Sequence, residues 1–169
     1  MLPGSISGGT KVSVYEAFVE KSSSKSWRTN VRWHKDEFMI SDERELADTD
    51  AVYSLLKETY WAKNRSKEAV ETTIKNSHCF SLFDNDRQIG FARVLTDGAV
   101  HSILLDVVVH KDYRGKGLGK WLVECITNHP EISDLIQILW TVDANGLYEK
   151  FGFSSPEKII FMIKKPGKS

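Results

Sequence analysis

Residues 103–129 constrain this chain most. An apolar run, Ile103-Leu104-Leu105-Asp106-Val107-Val108-Val109, leads into Arg114-Gly115-Lys116-Gly117-Leu118-Gly119, and a helical pattern follows. Alternating glycines permit positive φ and let a ligand come close to main-chain N–H groups. A helix that opens on such a turn presents the positive end of its dipole. Strand, glycine loop and helix in that order form a ready-made pyrophosphate site. The charge around the turn fits an anion, since His110, Lys111, Arg114, Lys116 and Lys120 stand against Asp112.

Two common nucleotide motifs do not match. A P-loop needs Ser or Thr after Gly-Lys to hold magnesium, and Gly115-Lys116 is followed by Gly117. A dinucleotide fingerprint needs a third glycine three residues after the second, where this chain has Lys120. The spacing Arg114, Gly117, Gly119 instead resembles the Arg-x-x-Gly-x-Gly acyl-CoA loop of the GNAT family of N-acetyltransferases. A second stretch, Leu147-Tyr148-Glu149-Lys150-Phe151-Gly152-Phe153, resembles that family's Leu-Tyr-x-Lys-x-Gly-Phe signature. Two motifs in the right order at the right distance are far more specific than either alone.

The chain of 169 residues has the size of one domain with a real core. Formal net charge is zero, so no global field favours nucleic acid or an anionic membrane. Cys79 and Cys125 lie in apolar periodic segments without metal-ligand spacing, which predicts buried, reduced thiols and a cytoplasmic protein. None of the five histidines shows a metal spacing, so no metal is expected. No run of about 18 apolar residues predicts a membrane span. The N-terminus lacks the apolar core of a signal peptide.

Residues 1–30 are rich in Gly, Ser and Lys and read as a disordered extension, with Val12–Val19 the one segment able to form a short element. The domain is expected over residues 31–169. Arg32–Ile40 predicts a first strand anchored by Trp33, Phe38 and Ile40. Asp48 and Ser66 read as N-caps of two helices. Cys79–Phe83 and Gln88–Leu95 read as a hairpin about Asp84-Asn85-Asp86-Arg87. After a long strand over 100–109 and the glycine loop come a helix stopped at Pro130, a strand Leu135–Val142 buried on both faces, a short helix Ala144–Phe151 ended by Gly152, and a final strand Ile159–Ile163. This is an α/β (α+β) order. The resemblance implies a single GNAT-like domain: a mixed, mostly antiparallel central sheet with splayed parallel strands, flanked by helices.

The resemblance also implies a chemistry, the transfer of an acetyl group from acetyl-CoA as co-substrate to a primary amine. An aliphatic ammonium has a pKa near about 10.4, so it must lose a proton before it attacks. Asp106 is the charged residue of the 103–109 strand and the candidate base or amine-binding group. A carboxylate amid apolar residues needs a partner or exposure. The family's other frequent base position is Ile103 here, which leaves ordered water as the other route. Tyr148 is the candidate acid for the leaving thiolate. Main-chain groups of the Val107, Val108 and Val109 strand are expected on the pantetheine arm. Arg114, Gly115, Lys116, Gly117, Leu118, Gly119 and Lys120 are expected on the pyrophosphate. Thr141 stands where many relatives carry a CoA-contacting Asn. Trp61, Arg65, Arg93 and Asp97 are further acceptor-site candidates, whereas Trp27, Trp33, Trp121 and Trp140 read as packing residues. The expected partner is a small-molecule amine, with a monomer or homodimer and no nucleic acid or membrane. A peptide acceptor or a non-catalytic acyl-CoA-binding module are the alternatives.

Overall fold

The computed structural model describes residues 17–20 and 30–165, the first four by their backbone alone. A first compact unit runs to Leu139, and a second begins at Trp140. The first is built on a seven-stranded sheet whose spatial order is its chain order: β1 (Ala17–Glu20), β2 (Asn30–Lys35), β3 (Phe38–Ser41), β4 (His78–Asp84), β5 (Arg87–Thr96), β6 (His101–Val109) and β7 (Ile136–Ile138). Every neighbouring pair is antiparallel except β6 and β7, which are parallel. The mixed, mostly antiparallel sheet is as expected. Strand β1 overlaps the Val12–Val19 segment, and the remaining residues of 1–29, Trp27 among them, lie outside the described residues.

One expected strand proves to be two. Over Arg32–Ile40 the chain turns back at Asp36, which adopts φ +53°, so that Lys35 pairs with Phe38 and Trp33 lies opposite Ile40. Asp tolerates the left-handed region better than most residues, which makes Asp36-Glu37 a workable two-residue turn without glycine. The hairpin expected at residues 84–87 is present, with Asn85 at φ +50° and Asp84 opposite Arg87.

Helices cover both faces. Helix α1 (Thr49–Lys57) starts where the Asp48 carboxylate accepts the Ala51 N–H at 2.7 Å. Helix α2 (Lys67–Lys75) starts where the Ser66 hydroxyl accepts the Ala69 N–H at 3.2 Å. Their inner residues Val52, Leu55, Leu56, Val70 and Ile74 join Cys79, Phe91 and Val108 in one apolar cluster. Successive strand residues point to opposite faces. Next to Cys79, the Phe80 ring therefore turns the other way, towards Trp33 and His129. On that side α3 (Leu118–Thr127) buries Leu118, Trp121, Leu122, Val123, Cys125 and Ile126. Both cysteines are free and buried, as expected. Among the described residues no helix is long and apolar enough to cross a membrane.

In the second unit a short helix α4 (Asn145–Tyr148) tightens into a 3-10 turn, Glu149–Phe151, and stops at Gly152 with φ +85°. Two strand expectations need correction. The strand expected over Leu135–Val142 shortens to Ile136–Ile138, where it pairs only with His101–Ile103. Ile136 and Ile138 are exposed rather than buried on both faces. The strand expected over Ile159–Ile163 is irregular chain. A continuous apolar run has no periodicity to distinguish strand from coil once its pairing partner is missing. Trp140, expected as a packing residue, is 53% exposed and stacks on Phe161 with centroids 5.4 Å apart.

Candidate active site

The site is organised by strand β6. Phe91 and Arg93 of β5 lie opposite Val108 and Leu105, so two steps on one strand face three on the other. The extra residue is a β-bulge at Asp106-Val107, and Asp106 holds φ +55°. A bulge bends a strand and increases its local twist. On its other edge β6 pairs with β7 as far as Ile103, and among the described residues no strand pairs with 104–109 there.

The same strand delivers the chain into the glycine turn. After Val109 a 3-10 turn, Lys111–Tyr113, precedes Gly115 at φ +79° and Gly117 at φ +77°. Gly117 is the N-cap of α3 and offers no side-chain acceptor to the first helical N–H groups. A Cβ on Gly115 or Gly117 would meet nothing within 4 Å, so the space beside the turn is open. Arg114, Lys116 and Lys120 are exposed. The Arg114 Nε–H donates to the Val109 carbonyl at 3.1 Å, and the Lys116 ammonium lies 5.1 Å from the Tyr113 ring centre. Open uncapped N–H groups at a helix start, with cations around them, fit the diphosphate of a coenzyme A.

Asp106 has the partners that its burial requires. Arg65 donates from both terminal nitrogens to the carboxylate, at 2.6 and 3.2 Å, and Arg93 donates from Nε to Oδ2 at 2.6 Å. Arg93 also donates from Nη1 to the Ser77 hydroxyl at 3.3 Å. Burial alone would raise the Asp106 pKa. The hydrogen bonds and charges of Arg65 and Arg93 outweigh it and hold the carboxyl below its usual range. A general base works best with a pKa near the operating pH. Asp106 is moved the other way, contrary to the base role expected for it. The sequence marked Asp106, Arg65 and Arg93 separately. Their convergence across 41 and 13 residues was foreshadowed only by the need of a buried carboxylate for a partner.

Of the other candidates, Asp97 is a turn staple. Its Oδ1 accepts N–H groups from Ala99, Val100 and His101 at 2.8–3.0 Å, which lowers its pKa to about 2. Trp61 packs edge-on against Tyr60 with centroids 4.9 Å apart, both exposed, in the turn that carries Arg65. In the second unit the Thr141 hydroxyl accepts the Ala144 N–H at 3.2 Å ahead of α4. Tyr148 packs edge-on against Phe153 at 5.9 Å. Burial and the charge of Asp143 push its phenol pKa up.

Sequence spacing gave no hint of a buried trio, Asp42, His78 and His129. Asp42 Oδ2 lies 3.2 Å from His78 Nε2 and 3.0 Å from His129 Nε2, and its Oδ1 accepts the Val31 N–H at 2.6 Å. These are ligand types that a metal accepts. However, the Glu131 N–H donates to His129 Nδ1 at 3.1 Å, which puts the neutral ring's proton on Nε2 facing Asp42. The trio is satisfied as a hydrogen-bonded anchor between β3, β4 and the end of α3.

Comparison with known proteins agrees with this geometry. The acetyltransferase (GNAT) domain profile matches residues 75–155. The chain is 33% identical over 114 residues to the uncharacterized N-acetyltransferase ycf52 of Gracilaria tenuistipitata, covering 63% of this chain and 62% of that one. It is 33% identical over 97 residues to histone acetyltransferase TAP1 of Glycine max, covering 56% of this chain and 42% of that one. The chain spans about three fifths of the length of the first curated relatives it matches. A crystal structure of a GNAT-family protein from Xanthomonas campestris superposes with a TM-score of 0.70 at 33% identity, covering 75% of this chain and 93% of that one. With its bulged strand, short parallel pair and glycine turn, the chain belongs to the GNAT family of acetyltransferases.

Proposed function

We propose that this protein is an acetyl-CoA-dependent N-acetyltransferase whose acceptor is the primary amine of a small molecule, acetylated by direct attack. The observation that supports this most is strand β6, bulged at Asp106, without a partner strand among the described residues on one edge over 104–109, and leading into an uncapped helix start. Bound acetyl-CoA supplies an activated thioester carbonyl. Main-chain groups of Val107, Val108 and Val109 receive the pantetheine arm as an added strand. The turn Gly115–Lys120 takes the pyrophosphate on its N–H groups, with Arg114 and Lys116 adding charge. Thr141 offers the CoA its hydroxyl, whose oxygen already accepts one hydrogen bond from Ala144.

A main-chain N–H at the bulge stabilises the charge that develops on the carbonyl oxygen. The acceptor ammonium gives one proton to water, its nitrogen forms the new C–N bond, and that nitrogen gives a second proton to water as the C–S bond breaks. Tyr148 donates its phenol proton to the departing sulfur and recovers one from solvent. The raised phenol pKa keeps that proton in place at neutral pH. Asp106 is a positioning residue that holds Arg65 and Arg93 in place beside the bulge.

A peptide acceptor is the second reading, because the soybean relative is named a histone acetyltransferase. A panel of small amines and of lysine- and α-amine-bearing peptides, assayed for thiol release from acetyl-CoA, separates the two. Turnover of small amines is expected. Turnover of peptides alone moves the assignment to the second reading, and thiol release with no acceptor in the panel contradicts both.

A further inference from the structure

The charges around Asp106 do not balance. Two guanidinium groups share one carboxylate, which leaves a net positive charge. Among the described residues neither Arg65 nor Arg93 pairs with any other acid. Arg93 and Asp106 are buried, whereas the Arg65 side chain is 24% exposed. Arg65 comes from the turn between α1 and α2, and its side chain is the most exposed of the three. Buried charge is costly unless paired, and an unbalanced cationic site favours an anion from solution.

We infer that the Arg65–Asp106–Arg93 cluster is an acceptor subsite that selects amines carrying an anionic group, a carboxylate or a phosphate, on the same small molecule. This rests on the transferase reading above. The anion meets the outward side of Arg65, whose planar fork suits carboxylate and phosphate alike. The same positive charge disfavours a neighbouring ammonium and so lowers the pKa of the bound amine. Loss of the ammonium proton to water becomes easier, although Asp106 is held too acidic to take it. A cation-selective site would have needed a surplus of acids here, and the cluster has the opposite balance.

The test uses the full chain and two matched probes, β-alanine and ethylamine, which differ only by a carboxylate. Binding is followed by the Nε–H resonances of the arginines, with inorganic phosphate as a third probe. β-Alanine is expected to bind at least about tenfold more tightly than ethylamine and to move the Arg65 resonance. Phosphate is expected to move the same resonance and to compete with β-alanine. Arg65→Gln is expected to erase the preference, and Arg65→Lys, which keeps the charge, to retain part of it. Equal or reversed affinities, or an unmoved Arg65 resonance with both anions in the millimolar range, overturn the inference. If Arg65→Gln does not fold, the Arg65→Lys variant and the wild-type preference decide. Acetyl-CoA titrated into the same sample reports on the glycine-turn amides independently. Its failure to bind overturns the transferase reading and leaves the anion result standing.

Discussion

At Asp106 a positive φ and a buried carboxylate coincide in one residue. A non-glycine residue held in that region costs about 1–2 kcal/mol, so its surroundings must over-determine it. Arg65 and Arg93 do so with three charge-assisted hydrogen bonds. Asp106→Asn keeps the shape and removes the charge, leaving two guanidinium groups unpaired. Breaking a buried pair from one side costs about 3 kcal/mol or more. Urea denaturation is expected to show that loss in the mutant, and unchanged stability would mean that the cluster holds nothing together. Tyr148 makes a different demand, because an acid must keep its proton until the sulfur leaves. Tyr148→Phe is expected to lower kcat by about 100-fold. With the phenol raised above its ordinary value of about 10, the wild-type alkaline limb lies above that pH and is absent in the mutant. An unchanged kcat would return the proton to water.

Among the elements, helices were the most legible. Asp48 and Ser66 cap α1 and α2 where a short polar side chain precedes an apolar period. Side chain to backbone bonds three residues apart can be seen in a sequence. The β2–β3 turn could not, because Asp36-Glu37 contains no glycine and the apolar alternation runs straight through it. The truncation of β7 was hidden for another reason. Apolar character at 135–142 says nothing about how far a parallel neighbour accompanies it, and here the pairing ends at Ile138. The Asp42–His78–His129 anchor joins residues up to 87 positions apart and left no local mark. Gly90 offers a direct test of the close approach beside the bulged strand. A Cβ there would lie 2.9 Å from Leu82 Cδ2 and 3.0 Å from the Val108 carbonyl oxygen. The backbone cannot yield cheaply, so Gly90→Ala is expected to cost about 1–3 kcal/mol in thermal or chemical unfolding. A neutral result would show that β5 and β6 can separate at the bulge without penalty.

For the whole molecule, the ionised carboxylates tie distant elements together and set the response to acid. Asp42 is held below its ordinary pKa: its burial is outweighed by the hydrogen bonds of His129, His78 and the Val31 N–H. Asp97 and Asp106 are lowered as well, Asp97 to about 2. Each native pKa lies below its unfolded value, so their stabilisation is fully present above about pH 4 and is lost as pH falls towards the native values. The melting temperature is expected to hold steady from neutrality to about pH 5 and to fall steeply below about pH 4. A flat profile down to about pH 3 would contradict these assignments. The turn after β6 is the proposed acyl-CoA site. Gly117 caps α3 at φ +77°, where a β-branched residue is strained and would put methyl groups into the open space beside the turn. Calorimetric titration of acetyl-CoA into the wild-type chain and into Gly117→Val probes that site. The predicted result is one saturable site in the wild type and at least about a tenfold weaker one in a folded mutant. No binding in the wild type well above micromolar acetyl-CoA, or equal affinity in the two proteins, would contradict it.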